Sequence, residues 1–100
     1  MADYTNKKVI VRCYRAGVFF GTLKEFDHST REATLTDCRN IWYWSGAASI
    51  HQLAIDGVTN PVESKFTVVV PEIAVMEVIE IIPCTNKAIK CIEEVPVWKR

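Results

Sequence analysis

The chain has no excess charge of either sign: twelve lysines and arginines balance twelve aspartates and glutamates, for a formal net charge of zero. A protein that holds nucleic acid through its overall field needs a positive balance to displace phosphate counterions, so that class loses its simplest support. Only two histidines are present, and Cys13, Cys38, Cys84 and Cys91 form no CxxC pair and lie at no zinc-ligand spacing to them. The cysteines read as small buried apolar residues in a reducing compartment. A glycine-rich phosphate loop, an HExxH stretch and a nucleophile elbow are all missing, so the reading is of a non-enzyme without metal or cofactor. His51 has no carboxylate near it in sequence, and the adjacent Asp27-His28 pair sits in a turn, which makes neither a catalytic signal. No apolar run approaches a membrane span and Met1 to Lys8 is polar, so no membrane contact is expected and the cytoplasm is the expected location.

What is present is apolar and patterned. A hydrophobic fraction of 49% with 24% charged residues describes a folded domain, and 1–100 reads as one. Val9, Val11 and Cys13 alternate with Ile10, Arg12 and Tyr14, the period of a strand whose first set faces the core. Ala16-Gly17 predicts a tight turn into a second strand, Val18 to Phe26, interrupted by Gly21 at a bulge, bend or close backbone approach. Phe19 and Leu23 share a parity that Phe26 breaks, which predicts a slip of one residue. Asp27 to Glu32 forms a polar turn, and the strand Ala33 to Trp44 needs a bulge between Asp37 and Asn40 to align Leu35 with Cys38. Ser49 and Gln52 have capping-box spacing for a short helix that stops at Gly57 and lids the barrel. Lys65 to Val70 and Glu72 to Ile82 predict two strands apolar on both faces, the second interrupted by Glu77 and Glu80 as surface charges. A last helix capped by Thr85 or Asn86 runs to Glu94 with Ala88, Ile89 and Ile92 in a stripe, and Val95 to Arg100 is extended with Trp98 as a surface anchor. Long bent strands in so short a chain predict a mainly β fold, a small, tightly closed barrel with two short helices.

The chemistry concentrates at Arg39-Asn40-Ile41-Trp42-Tyr43-Trp44. Three successive large rings cannot share one face of an extended chain. If Tyr43 points inward, Trp42 and Trp44 face the other way, either as packing or a subunit contact, or as a stacking platform with Arg39 as its charge. Tyr14 and Arg15 at the first hairpin extend the candidate set, because rings stack bases and guanidinium groups grip phosphate in pairs of hydrogen bonds. The expected ligand site is therefore Tyr14, Arg15, Arg39, Trp42 and Trp44.

Gly21-Thr22-Leu23-Lys24-Glu25-Phe26-Asp27 with Leu35-Thr36-Asp37-Cys38 resembles the first half of the Sm-like signature, over roughly the first 45 residues. That resemblance implies a small, strongly bent five-stranded Sm/SH3-like barrel that forms rings. The family's RNA site does not carry over, because Ser29, Thr30 and Arg31 stand where an asparagine is usual and Val75 to Ile82 lacks an arginine-glycine pair. Across nearly its whole length the chain also resembles a family of small proteins from tailed phages and prophages, through Val18 to Leu23, Ile41 to Trp44 with Gly46-Ala47-Ala48, Val78 to Pro83 and Val95 to Trp98. This implies a phage accessory product in the host-cell cytoplasm. The reading is a homo-oligomeric binding protein for a small anionic ligand, such as a nucleotide-type immune signal. A structural or host-protein interaction role and Sm-like RNA binding are the alternatives.

Overall fold

The computed structural model describes residues 3–98. Strands β1 (Lys8–Cys13), β2 (Gly17–Asp27) and β3 (Glu32–Tyr43) form an antiparallel meander. Helix α1 (Ile50–Asp56) and a 3-10 turn (Pro61–Glu63) lead to β4 (Lys65–Phe66), β5 (Val70–Val75) and β6 (Val78–Pro83), and helix α2 (Asn86–Glu94) follows. The sheet runs β4-β3-β2-β1-β6, with β5 also paired to β3. The fold is mainly β, as expected, but the described residues form two short helices and six strands in one open sheet, where the expectation is five strands in a closed barrel.

The reason lies at Met76-Glu77. The single strand expected from Glu72 to Ile82 breaks there, with Glu77 in the left-handed region at φ 59°. Its two halves then pair with opposite edges of the meander, β5 with β3 and β6 with β1. Four strand spacings in a flat sheet measure about 19 Å, while the three Cα steps from Val75 to Val78 reach about 11 Å at most. The sheet must therefore roll until its edges approach at this joint. Val78 N–H donates to Arg31 O at 3.0 Å and Tyr14 N–H to Glu77 O at 2.9 Å, fastening the joint to two turns. The expected Lys65–Val70 strand shortens to Lys65–Phe66.

The predicted irregularities permit the roll. The β2–β3 register shifts between Phe20 and Thr22, opposite Asp37 at φ 49°, and again between Leu23 and Glu25. A Cβ on Gly21 would lie 3.0 Å from Thr36 O, the close approach expected there. With these slips Val9, Val11, Phe19, Leu23, Leu35 and Cys38 share the concave core. The convex face carries Ile10, Phe20, Ile41 and Phe66 under Leu53, Ala54, Ala88 and Ile92. Helix α1 thus covers the outside of the sheet, where a lid on a barrel end was predicted, because its apolar residues meet α2 and the convex face together.

Helix signals in the sequence hold in detail. Ser49 Oγ accepts from Gln52 N–H at 3.2 Å, although Gln52 Oε1 returns to Ala48 N–H at 2.8 Å, one residue before the usual partner. Gly57 ends α1 at φ 78°, and Thr85 Oγ1 caps α2 through Ala88 N–H at 3.1 Å. All four cysteines are free thiols, and burial pushes Cys38 and Cys84 to about 12, which keeps them protonated and inert.

One ion cluster was invisible in the sequence. His51 Nε2 lies 2.7 Å from Glu80 Oε2, and Arg12 Nε lies 3.2 Å from the other carboxylate oxygen, so α1, β1 and β6 meet at one charge. The hydrogen bond from His51, ahead of the charges of His51 and Arg12, holds Glu80 below its ordinary 4.5. A depressed carboxyl stabilises the fold above its unfolded value, and that contribution is lost as pH falls through the folded value. Thermal melts taken below pH 4.5 should therefore fall less steeply for His51→Ala than for the parent chain. Asp3 and Asp27, lowered by Thr5 and by Ser29 and Thr30, act in the same window in both proteins, so the difference isolates Glu80. Parallel curves would remove His51 from the cluster's energetics.

Candidate functional site

Ile41 is buried opposite Phe66 on the β3–β4 ladder, and the register slips between Ile41 and Tyr43. That slip turns two successive rings outward: Trp42 is 61% exposed and Tyr43 50% exposed. Tyr43 is therefore not the inward ring that strict alternation predicted. Trp44, beyond the end of β3, turns back and packs against the convex core.

Trp42 has acquired neighbours from elsewhere in the chain. The indole of Trp98 stacks on it with centroids 5.0 Å apart and planes 13° from parallel. Lys65 Nζ lies 5.2 Å from the Trp42 centroid and 5.4 Å from that of Trp98, within cation–π reach of both. Two structural devices position this trio. Lys65 pairs opposite Tyr43 in β4, and the extended Val95–Trp98 strap returns beside Phe66, where Val97 bridges Phe66 in parallel and Trp98 N–H donates to Phe66 O at 2.9 Å. Phe66, fully buried, thus carries β3 on one side and the strap on the other.

Arg39 does not face this surface. It is 3% exposed, and its guanidinium donates to four main-chain carbonyls: Nε to Thr67 O at 2.9 Å, Nη1 to Ile92 O at 2.9 Å, and Nη2 to Phe66 O at 3.3 Å and Pro96 O at 3.4 Å. Its carbon Cζ also lies 5.3 Å from the Phe66 centroid. Burial lowers its pKa, yet a guanidinium stays charged, and no buried side-chain polar atom lacks a partner among the described residues. Arg39 is the clasp that holds β4, the end of α2 and the strap together beneath the aromatic pair.

Tyr14 and Arg15 are at a different corner. Arg15 Nη2 meets Glu77 Oε2 at 3.0 Å and its Cζ lies 5.7 Å from the Tyr14 ring, which engages the pair with the β5–β6 joint. The five expected residues thus occupy three environments: the joint, the clasp under β3, and the surface around Trp42 with Trp44 folded inward behind it. The sequence reads Trp98 as a surface anchor and Lys65 as part of a strand; neither has a local signal that joins it to Trp42.

Two clefts lie apart from this trio. One of about 610 Å³ is lined by Tyr4, Leu23, Phe26, Val78 and Ile81, with Asp3 and Glu80 as its charged residues. The other, about 680 Å³, surrounds the β2–β3 turn with Glu25, Asp27 and Glu32. Carboxylates repel phosphate, so neither cleft suits an anion. The ammonium of Lys65 beside two indoles does. Among the described residues no cluster of His, Cys, Asp and Glu is arranged to hold a metal ion, and no helix is long and apolar enough to cross a membrane.

Comparison with curated proteins and with solved structures gives no match. Residues 6–92 match the family model described as "Domain of unknown function (DUF6948)", and with most of its length inside that match the chain belongs to that family.

Proposed function

We propose that this chain is a non-enzymatic binding protein, a phage accessory product of the host-cell cytoplasm, which takes up a small planar anion of the nucleotide type at the surface where Trp42, Trp98 and Lys65 meet. The observation that carries this reading is the stacked indole pair with one ammonium about equally far from both rings. An indole face supplies stacking that tolerates any base, at about 1–3 kcal/mol per base, and the ammonium supplies a point charge for phosphate. The phage attribution rests on the sequence resemblance alone.

The test has two arms. In calorimetric titration the chain should bind AMP and fail to bind ribose 5-phosphate, because the base provides the stacking. Trp42→Ala should weaken AMP binding at least tenfold with little change in thermal stability, since the ring is 61% exposed. Native mass spectrometry of gently purified protein should also find a mass that denaturation releases. Failure to bind AMP together with a clean native mass would refute the reading.

A second reading, a contact surface for another copy or for a host protein, is favoured by Val68, Val69 and Val97, which are 46%, 52% and 44% exposed in or beside the segments that frame the rings. A defined oligomer that Val69→Lys disperses would support it. RNA binding at the β2–β3 turn is disfavoured by the carboxylates around it.

A further inference from the structure

The ring that covers Trp42 belongs to the C-terminal strap, and the spacing of the pair limits how a ligand can enter. A flat ring inserted between two others makes a contact of about 3.5 Å on each side and needs about 7 Å between the outer planes. The indole centroids are 5.0 Å apart. No third ring fits between them. A ligand ring can therefore rest on the outer face of Trp42 or replace the indole of Trp98.

Lys65 decides between the two positions. The three separations, 5.0, 5.2 and 5.4 Å, form a nearly equilateral triangle, with the ammonium beside the gap between the rings. A ring in the place of Trp98 keeps its centroid about as near to Lys65 as the indole is now. A ring the same 5.0 Å beyond Trp42 on its other side lies about 9 Å from the same ammonium, so of the two positions the place of Trp98 is the one on the same side of Trp42 as Lys65. The strap is also lightly held at Val97 and Trp98: among the described residues their main-chain tie is the bridge of Val97 to Phe66, of which the Trp98 N–H bond to Phe66 O is part. Trp98 itself remains 40% exposed.

We infer that Trp98 occupies the ligand's own position in the unliganded chain: the C-terminal strap is a displaceable competitor, and a planar anion binds by taking the place of its indole on Trp42 with its anionic group at Lys65. This rests on the binding reading above and specifies how that site is regulated. Removing the competitor raises apparent affinity, because the ligand no longer has to drive the closed state open.

The deciding experiment is calorimetric titration of AMP into the full-length parent chain, Trp98→Ala and Trp42→Ala, with amide hydrogen exchange of the parent followed in parallel. Trp98→Ala should bind AMP about tenfold more tightly, equivalent to about 1.4 kcal/mol, whereas Trp42→Ala should lose binding. In the parent chain the Trp98 amide should exchange faster when AMP is bound. Weaker or unchanged binding by Trp98→Ala, or slower exchange at Trp98, would overturn the strap as competitor while leaving the binding reading intact. Absence of AMP binding in all three proteins would overturn the binding reading and the strap mechanism with it.

Discussion

Arg39→Met is expected to destabilise the fold by about 3 kcal/mol or more, measured by urea denaturation with an unchanged denaturant slope. The usual argument about buried charge points the other way: an ion pair replaced entirely by well-packed apolar residues is often neutral or stabilising. Arg39 is a different case, because its partners are main-chain carbonyls of Phe66, Thr67, Ile92 and Pro96, which no substitution removes. Methionine fills much of the volume and satisfies none of them. Phe66 O and Ile92 O keep second partners in Trp98 N–H and Val95 N–H, so the loss is less than four whole hydrogen bonds. Ile92 O belongs to the last turn of α2, and removing a cation there also leaves the negative end of the helix dipole unopposed. Arg39→Lys should fall in between, since one ammonium cannot span carbonyls contributed by four residues in three segments. A loss under 1 kcal/mol for the methionine variant would mean that water reaches these carbonyls and that the clasp contributes little.

The same residue shows where sequence reasoning reaches its limit. Arg39 beside Ile41, Trp42 and Tyr43 reads as a surface charge next to exposed rings, because only its neighbours along the strand are visible. Its real partners lie 27 to 57 positions away and are carbonyls, which every residue possesses and no residue type announces. Signals local to a few residues were legible. The slips opposite Asp37 and between Leu23 and Glu25 followed from side-chain parity, and both helices followed from their caps and stripes. The break at Met76-Glu77 had no such signal, because a glutamate at φ 59° is imposed by edges of the sheet that meet only in the folded chain. For the candidate site, Trp42 was legible as a ring facing away from Tyr43, as packing or as a platform, and its exposure beside an equally outward Tyr43 comes from the slip at the end of β3. Its stacking partner and its cation arrive through the strap and β4, and the pairing of those segments depends on Phe66, whose position between Ile41 and Val97 is a tertiary fact.

Gly57→Ala is expected to cost about 3 kcal/mol or more, for two separable reasons. The first is conformational: φ 78° with ψ −154° belongs to a region occupied essentially by glycine, and an L side chain there costs about 1–3 kcal/mol. The second is spatial, because a Cβ at this position would lie 2.6 Å from both Cβ and Sγ of Cys91 on α2. The surroundings cannot relax easily. Cys91 Sγ is tied to Val58 N and O at 3.3 Å each, and α2 is seated on the convex core through Ala88 and Ile92. Relieving the overlap means moving α2, and Ile92 O then moves relative to the Arg39 guanidinium, so the disturbance reaches the strap. Adding Cys91→Ala removes the sulfur contact and leaves the Cβ contact and the strained backbone. The double variant should therefore recover only part of the loss in urea denaturation, and amide exchange at Trp98 should be faster than in the parent chain in both variants. Full recovery by Cys91→Ala would assign the whole effect to the sulfur. A Gly57→Ala loss below 1 kcal/mol would show that α1 can end in another conformation without displacing α2.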